Sequence, residues 1–129
     1  MEYNIGSAFD ETTGKFTAPH DGIYSFYATS PIYQYGSSQY TNYMYIYVNG
    51  ASKVYHFLRT SGAGKYEFKH NSPSAVFKLT KGDTVHIYMS GTFYQASTNC
   101  DSTYFQGHLV DLLWIEFDFL FNKIFNDFL

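Results

Sequence analysis

Residues 4–26 read NIGSAFDETTGKFTAPHDGIYSF and place two turns and two strand starts in one short block. Thr13-Gly14 predicts a tight turn, because glycine adopts the positive φ that other residues resist. Residues 19–22, PHDG, predict a second turn, in which proline fixes φ and glycine relieves it. Apolar and polar residues alternate after each turn, at 15–18 and at 23–26, so both segments are predicted to be strands.

The same period-2 alternation recurs in the rest of the chain and predicts an all-β sandwich, with no helical periodicity before residue 112. Asn49-Gly50 is a strong hairpin signal, and Lys81-Gly82 is predicted to join two strands. Residues 34–42 and 59–74 are predicted to be longer loops. Four apolar sets are expected to face the core: Met44, Ile46 and Val48; Ala75, Phe77 and Leu79; Val85, Ile87 and Met89; Phe105, Gly107 and Leu109.

Length and composition limit the classes of protein that fit. A chain of 129 residues has room for one domain. The chain has eight Lys and Arg and 11 Asp and Glu, which gives a net charge of −3. This charge argues against nucleic acid as a partner, because a protein needs a basic face to bind phosphates. Aromatic residues make up 22 % of the chain, which suits strands that are apolar on both faces and favours assembly.

The cysteine content and the hydropathy pattern do not indicate in which cellular or extracellular compartment the protein is found. The single cysteine, Cys100, excludes a disulfide within the chain and is interpreted as a free thiol in a loop. No secretory signal is visible at Met1-Glu2-Tyr3, and no apolar run is long enough to span a bilayer as a helix.

No constellation of residues predicts catalysis, so we expect the chain not to be an enzyme. The histidines show no metal-ligand spacing, and they are interpreted mainly as solvated surface groups: His20, His56, His70, His86 and His108. His86 in particular is predicted to face outward from its strand.

Four blocks of the sequence resemble the globular-head domain of the complement C1q family, in the order that this family shows. The opening block is the first, and MYIYVNG at 44–50 resembles the family's strand ending in Val-Asn-Gly. The third block, VFKLTKGDTVHIYM at 76–89, resembles the family's Leu-x-x-Gly-Asp-x-Val hairpin. The fourth block, STYFQGHLV at 102–110, resembles the family's last strand, but has His108 where an aromatic residue is usual.

That family shares a trimeric jelly roll with the tumour-necrosis-factor-like cytokines. The resemblance therefore implies a jelly-roll β-sandwich of two antiparallel sheets over residues 3–112, most of its usual first strand missing, and a homotrimer. The missing strand, roughly ten residues before Asn4, pairs in the family beside the last strand, so its loss implies an unpaired edge there.

Residues 113–129, LWIEFDFLFNKIFNDFL, continue past the family's usual end as an atypical hydrophobic tail. Three interpretations stay open: a read-through in a mis-predicted gene model, an amphipathic helix, or a strand at 114–121 that fills the missing slot. The acidic polar face of such a helix argues against a membrane surface as its partner.

Calcium is the one cofactor that the resemblance makes possible, because several family members hold it through loop acids. The corresponding loop at 65–74 offers Glu67, but Lys65, Lys69 and His70 would repel a cation. Asn99 and Asp101 are weaker candidates for a calcium site, since calcium needs clustered oxygen ligands.

Residues 33–43, YQYGSSQYTNY, have the composition of a binding loop, since tyrosine offers a large amphipathic surface at a low cost in entropy. Tyr33, Tyr35 and Tyr40 are therefore predicted to contact a ligand. A separate set of tyrosines is predicted to pack in the trimer seam or to shield the sheet: Tyr43, Tyr45 and Tyr47.

The resemblance implies a secreted, lectin-like pattern-recognition module of innate immunity. Three identical sites held together would bind microbial glycans or extracellular proteins with avidity. The alternative is a structural or adhesive matrix protein whose tyrosine-rich faces drive self-assembly; a cytokine-like receptor ligand fits the motifs less well.

Overall fold

The computed structural model describes residues 4–34, 36–92 and 104–112. These residues form a short 3-10 turn at Ile5–Ser7 and nine strands. In chain order the strands are β1 (Phe9–Asp10), β2 (Lys15–Thr17), β3 (Gly22–Gln34), β4 (Thr41–Val48), β5 (Ala51–Arg59), β6 (Glu67–Asn71), β7 (Ser74–Leu79), β8 (Thr84–Gly91) and β9 (Tyr104–Asp111).

The strands form two antiparallel sheets, which confirms the predicted jelly-roll sandwich. One sheet has the order β1-β2-β8-β4-β5. The other is built around the 13-residue β3, whose first half pairs with β7 on one side and β9 on the other, while β6 pairs with its second half. In the described residues β9 pairs with β3 alone, so its other edge carries no strand there.

The core lies between the sheets and follows from the period-2 pattern. All four predicted inward sets lie on the core side of their strands, as the pairing register shows. Phe16 and Phe26 reach each other from opposite sheets with ring centroids 5.3 Å apart. Leu109 faces the same way but is 36 % exposed, because β9 lies at the edge of its sheet.

The β4–β5 hairpin has the two-residue turn that Asn49-Gly50 predicts. Asn49 and Gly50 have φ of 51° and 77°, and Val48 pairs with Ala51 across them. Positive φ at both central positions is the type I′ geometry that matches the twist of the flanking strands.

A β-bulge follows at once in this hairpin. Tyr47 pairs with Ser52, but Ile46 pairs with Val54, so β5 carries one extra residue. Because side chains alternate along a strand, the extra residue reverses the faces of β5 beyond it. Tyr55 and Phe57 consequently lie on the outer face, opposite Tyr45 and Tyr43.

The connection between β7 and β8 corrects the predicted hairpin at Lys81-Gly82. The two strands belong to different sheets, so residues 80–83 carry the chain across the sandwich. Each strand faces the same core from its own side, which is why both show inward apolar sets. Asp83 fixes the crossing, since its carboxylate Oδ2 accepts a hydrogen bond from the Thr80 N–H at 2.8 Å.

Other predicted local features also differ. Gly22 is the first residue of β3 and is absent from the positive-φ residues, so it does not relieve φ as predicted. Glycine is needed there for space, because a Cβ would lie 2.8 Å from Leu109 Cδ1. The predicted loop at 34–42 ends where β4 begins at Thr41, and the predicted loop at 59–74 contains β6.

Candidate functional site

The outer face of the five-stranded sheet carries seven contiguous aromatic rings, here called the aromatic array. The register places the three tyrosines of β4 in the middle, two rings of β5 on one side and two of β8 on the other. The members are Tyr43, Tyr45, Tyr47, Tyr55, Phe57, His86 and Tyr88.

Tyr45 is the centre of the aromatic array. Its ring centroid lies 6.2 Å from Tyr43, 6.1 Å from Tyr47, 5.9 Å from Tyr55 and 5.8 Å from Tyr88. Pairs at these separations attract one another beyond the area that they bury. The β4 tyrosines therefore shield the outer face of the sheet, one of the two roles predicted for them.

The flanking rings of the aromatic array remain open to solvent. Tyr55 is 62 % exposed, Phe57 52 % and Tyr88 51 %, whereas the tyrosines of β4 are half-buried. A contiguous exposed apolar patch on a soluble protein commonly marks a binding surface. Sequence reasoning missed Tyr55 and Phe57, because only the bulge in β5 turns them outward.

His86 ends the array and corrects the prediction that it is a solvated surface group. Its imidazole stacks on Tyr47 with centroids 5.1 Å apart and planes 26° apart. Its Nδ1 is buried and has no hydrogen-bond partner among the described residues. Burial lowers the pKa of His86 below its usual 6.5, and the nearby charge of Lys15 lowers this pKa further.

Tyr33, a predicted ligand contact, belongs to a smaller cluster on the other sheet. It lies in β3 rather than in a loop, and its ring centroid is 6.1 Å from Tyr66 and 6.4 Å from Phe68. The exposed fractions are 37 % for Tyr33, 71 % for Tyr66 and 55 % for Phe68. These three rings give one end of the four-stranded sheet an aromatic surface.

Tyr40, the second predicted contact, is 37 % exposed and lies just before β4, in the other sheet. Its N–H donates to Thr60 Oγ1 at 2.9 Å, and the Thr60 N–H donates back to the Tyr40 carbonyl at 2.9 Å. The 36–40 segment packs on residues 60–64, since Gln39 Nε2 donates to the Ser61 carbonyl at 3.2 Å. Tyr35, the third predicted contact, lies outside the described residues.

The described residues include no group of three His, Cys, Asp or Glu side chains that could hold a metal ion. Glu67 accepts hydrogen bonds from the Ser61 N–H at 2.7 Å and hydroxyl at 2.9 Å, and pairs with Lys69 at 3.4 Å. These contacts, the Ser61 N–H first, lower the pKa of the Glu67 carboxyl. The calcium candidates Asn99 and Asp101 lie outside the described residues, so calcium binding stays a prediction.

Among residues 4–34, 36–92 and 104–112, no helix is long and apolar enough to cross a membrane.

Comparison with known proteins agrees with the architecture. A family model described as the C1q domain matches residues 1–110. Complement C1q tumor necrosis factor-related protein 3 from Mus musculus is 36 % identical over 89 residues, and the protein of the same name from Homo sapiens gives the same values. Each match covers 69 % of this chain and 34 % of the relative, so the chain spans about a third of their length. The chain belongs to the C1q domain family.

Proposed function

We propose that this chain is a non-enzymatic extracellular recognition module that binds its ligands multivalently as a homotrimer. The observation that carries the proposal is the C1q domain match over residues 1–110, together with two relatives named for C1q and tumour necrosis factor. Three identical sites held in one particle gain avidity by effective concentration without any new contact. The ligand classes that we propose are microbial glycans and extracellular proteins, in an innate-immune setting.

Exposed apolar side chains on the four-stranded sheet support association through that face. Val76 of β7 is 63 % exposed and points away from the core, as its pairing with Ser25 shows. Tyr104 of β9 is 46 % exposed on the same face and packs against Tyr27 at 5.7 Å. Burial of this apolar surface between copies of the chain would stabilise their association by about 25 cal/mol per Å² removed from water.

Light scattering coupled to size exclusion of the full chain tests the trimer. We expect the mass of three copies, unchanged over a wide range of concentration. Val76→Asp is expected to shift the protein toward monomer, because it places a charge in the proposed interface. Tyr88→Asp, on the opposite sheet, is the matched control and is expected to remain trimeric. A monomeric wild-type protein contradicts the proposal.

The second candidate function is a structural or adhesive matrix protein, and the exposed rings of the aromatic array favour it. When such a surface meets a different, complementary surface on the next copy, the contact does not close and association is open-ended. The same scattering experiment separates the two functions. Mass that keeps growing with concentration, and stops growing in Tyr88→Asp, would support the matrix function and overturn the trimer.

Ligand contact at Tyr33, Tyr35 and Tyr40 remains part of this proposal. Tyr33 has exposed aromatic neighbours in Tyr66 and Phe68, which supports contact at that end of the sandwich. Binding to a panel of glycans and extracellular proteins, compared between wild type and Tyr33→Ala or Tyr40→Ala, tests it. Repeating the panel with and without a calcium chelator tests the cofactor prediction at Asn99 and Asp101.

A further inference from the structure

We propose that the aromatic array, together with Lys15 and Arg59 at its corners, is a binding site for an anionic polysaccharide. The inference rests on the proposed recognition function and deepens it, by naming a surface and the chemical class of its ligand. The site is distinct from the end of the sandwich where Tyr33 lies.

The first argument is the arrangement of the exposed rings. Tyr55 and Tyr88 both pair with Tyr45, from the strands on either side of it. Two strand spacings separate their backbones by about 10 Å. The C–H faces of a pyranose carry partial positive charge and pack on the electron-rich faces of aromatic rings. An extended sugar chain laid across the strands can therefore contact the array at two points.

The orientation of the rings supports this contact. Tyr43 and Tyr45 lie 22° from parallel, Tyr45 and Tyr55 33°, and Tyr43 and Phe57 34°. The rings on the β5 side of the array thus share one general orientation, whereas Tyr47 and Tyr88 are turned 65° and 51° from Tyr45. The phenolic hydroxyls of the array can also bond with sugar hydroxyls.

The second argument is charge. Lys15 lies on this face opposite His86, and Arg59 lies opposite Thr41, whose Oγ1 accepts a hydrogen bond from Arg59 Nε at 3.2 Å. Neither cation has a carboxylate within ion-pair distance among the described residues. In the described part of the face, the one carboxylate placed by the register is Asp10, which lies directly opposite Lys15 on edge strand β1, so the two cations outnumber the carboxylates there.

This local excess of cations contrasts with the whole chain, which has a net charge of −3. Guanidinium and ammonium groups recognise carboxylates and sulphates. Lys15 and Arg59 stand at opposite ends of the array, so an extended ligand that carries charge along its length can reach both. Charge complementarity therefore selects uronic-acid or sulphated polysaccharides over neutral ones.

The third argument is the size of the exposed surface. A fully buried aromatic side chain contributes about 150–250 Å², so the three most exposed rings, each half to two-thirds exposed, offer roughly 250–400 Å². A stable protein–protein interface needs about 800 Å² on each partner. These three rings alone provide at most about half of that area, which suits a narrow sugar chain.

Titration calorimetry with the full chain and three probes tests the proposal. Alginate oligosaccharides carry uronic acids on pyranose rings, cello-oligosaccharides carry the rings without charge, and polyglutamate carries charge without rings. We expect binding to alginate alone, weakened by salt. Tyr55→Ala combined with Tyr88→Ala should weaken it roughly ten-fold or more. Lys15→Gln combined with Arg59→Gln should weaken it and flatten the salt dependence.

Tyr66→Ala is the matched control, because Tyr66 is 71 % exposed but lies near Tyr33 on the other sheet. This variant should bind alginate as the wild type does. Tyr55→Phe with Tyr88→Phe keeps the rings and should retain most binding, which separates lost stacking from a damaged fold.

Several results overturn the proposal: no binding of alginate, equal binding of polyglutamate, or loss of binding in Tyr66→Ala without loss in the array variant. Molar mass is measured on the same samples, so the two proposals fail separately. A trimer that ignores alginate overturns the anionic-glycan site and leaves the recognition trimer standing. A monomer that binds alginate through the array overturns the recognition trimer and supports the anionic-glycan site.

Discussion

Asn71 Nδ2 donates a hydrogen bond of 2.7 Å to Asn42 Oδ1, and both side chains are fully buried. Asn71 belongs to β6 and Asn42 to β4, so this bond joins the two sheets of the sandwich. Asn71 Nδ2 also donates to the His56 carbonyl at 3.1 Å, and its Oδ1 contacts His56 Nδ1. One buried amide therefore connects β4, β5 and β6 through polar contacts.

Replacing Asn71 with Leu should destabilise the protein. The change leaves the buried Asn42 amide without its partner, and an unsatisfied buried polar group costs about 1–3 kcal/mol. The measurement is the free energy of unfolding in urea. Gln39→Ala, which removes an exposed amide, is the control and should change stability by less than about 0.5 kcal/mol. Equal effects of the two substitutions would contradict the structural role of Asn71.

Gly107→Ala should destabilise through overpacking. A Cβ at position 107 would lie 2.5 Å from Phe26 Cδ1, so the ring must move from its place in the core. Overpacking of this kind typically costs about 1–3 kcal/mol. Thermal unfolding measures the loss, and Phe26→Leu in the same chain should recover part of it by making room. Gln106→Ala, at the neighbouring position, is the control, and a rescue that fails would contradict the proposed clash.

His86 should make the protein less stable as the pH falls below about 6.5. Its folded-state pKa lies below the unfolded value of 6.5, chiefly because of burial. The unfolded chain therefore takes up a proton before the folded chain does, so stability is full above 6.5 and declines between 6.5 and the lower folded pKa. The measurement is the midpoint of urea unfolding from pH 7.5 to 5.

His86→Gln carries no titrating group at this position and should show a shallower decline over that range. Gln39→Ala, which removes an exposed amide that does not titrate, is the control and should keep the slope of the wild type. If both substitutions leave the slope unchanged, His86 does not contribute to the pH dependence.

Asp83→Ala should lower stability at neutral pH by about 1 kcal/mol, the usual net value of hydrogen bonds near a surface. The carboxylate accepts a hydrogen bond from Asn49 Nδ2 at 3.0 Å and another from the Thr80 N–H. These bonds, Asn49 first, lower the pKa of Asp83 below 3.8. Its contribution is therefore present above 3.8 and lost as the pH falls through the folded pKa.

Urea unfolding at pH 7 and at pH 2 tests this effect: the difference between wild type and Asp83→Ala should shrink in acid. Glu11→Ala, at an exposed carboxylate, should leave stability nearly unchanged at both pH values. A difference that persists undiminished at pH 2 argues that the carboxylate charge is not involved.

Features fixed by neighbouring residues could be predicted from the sequence. Asn49-Gly50 determines its turn through backbone sterics alone, and the inward apolar sets follow from side-chain alternation. The predicted antiparallel sandwich, including the inward direction of Val85 and Phe77, therefore agrees with the structure.

Features that depend on how a strand pairs with its neighbours in the fold could not be predicted from the sequence. A two-residue turn with regular pairing would have put Tyr55 on the core side, and only the extra residue before Val54 sends it outward. The alternation of β4 predicts the outward tyrosines Tyr43, Tyr45 and Tyr47, but the outward direction of Tyr55 and Phe57 depends on this bulge. Local pattern likewise predicts a turn after Leu79 without telling whether β8 stays in the same sheet.

The central place of β3 has a consequence for the exchange of amide hydrogens with solvent. Residues 23–27 of this strand have neighbours on both sides, β7 and β9, while each of those strands pairs only with β3 within the described part of its sheet. Opening either neighbour exposes one edge of β3 but leaves the other bonded. Because successive N–H groups of a strand point to alternate sides, the amides of Tyr24 and Phe26 point to the same neighbour, and their exchange rates should report the opening of that strand. The amides of Ser25 and Tyr27 should report the opening of the other strand.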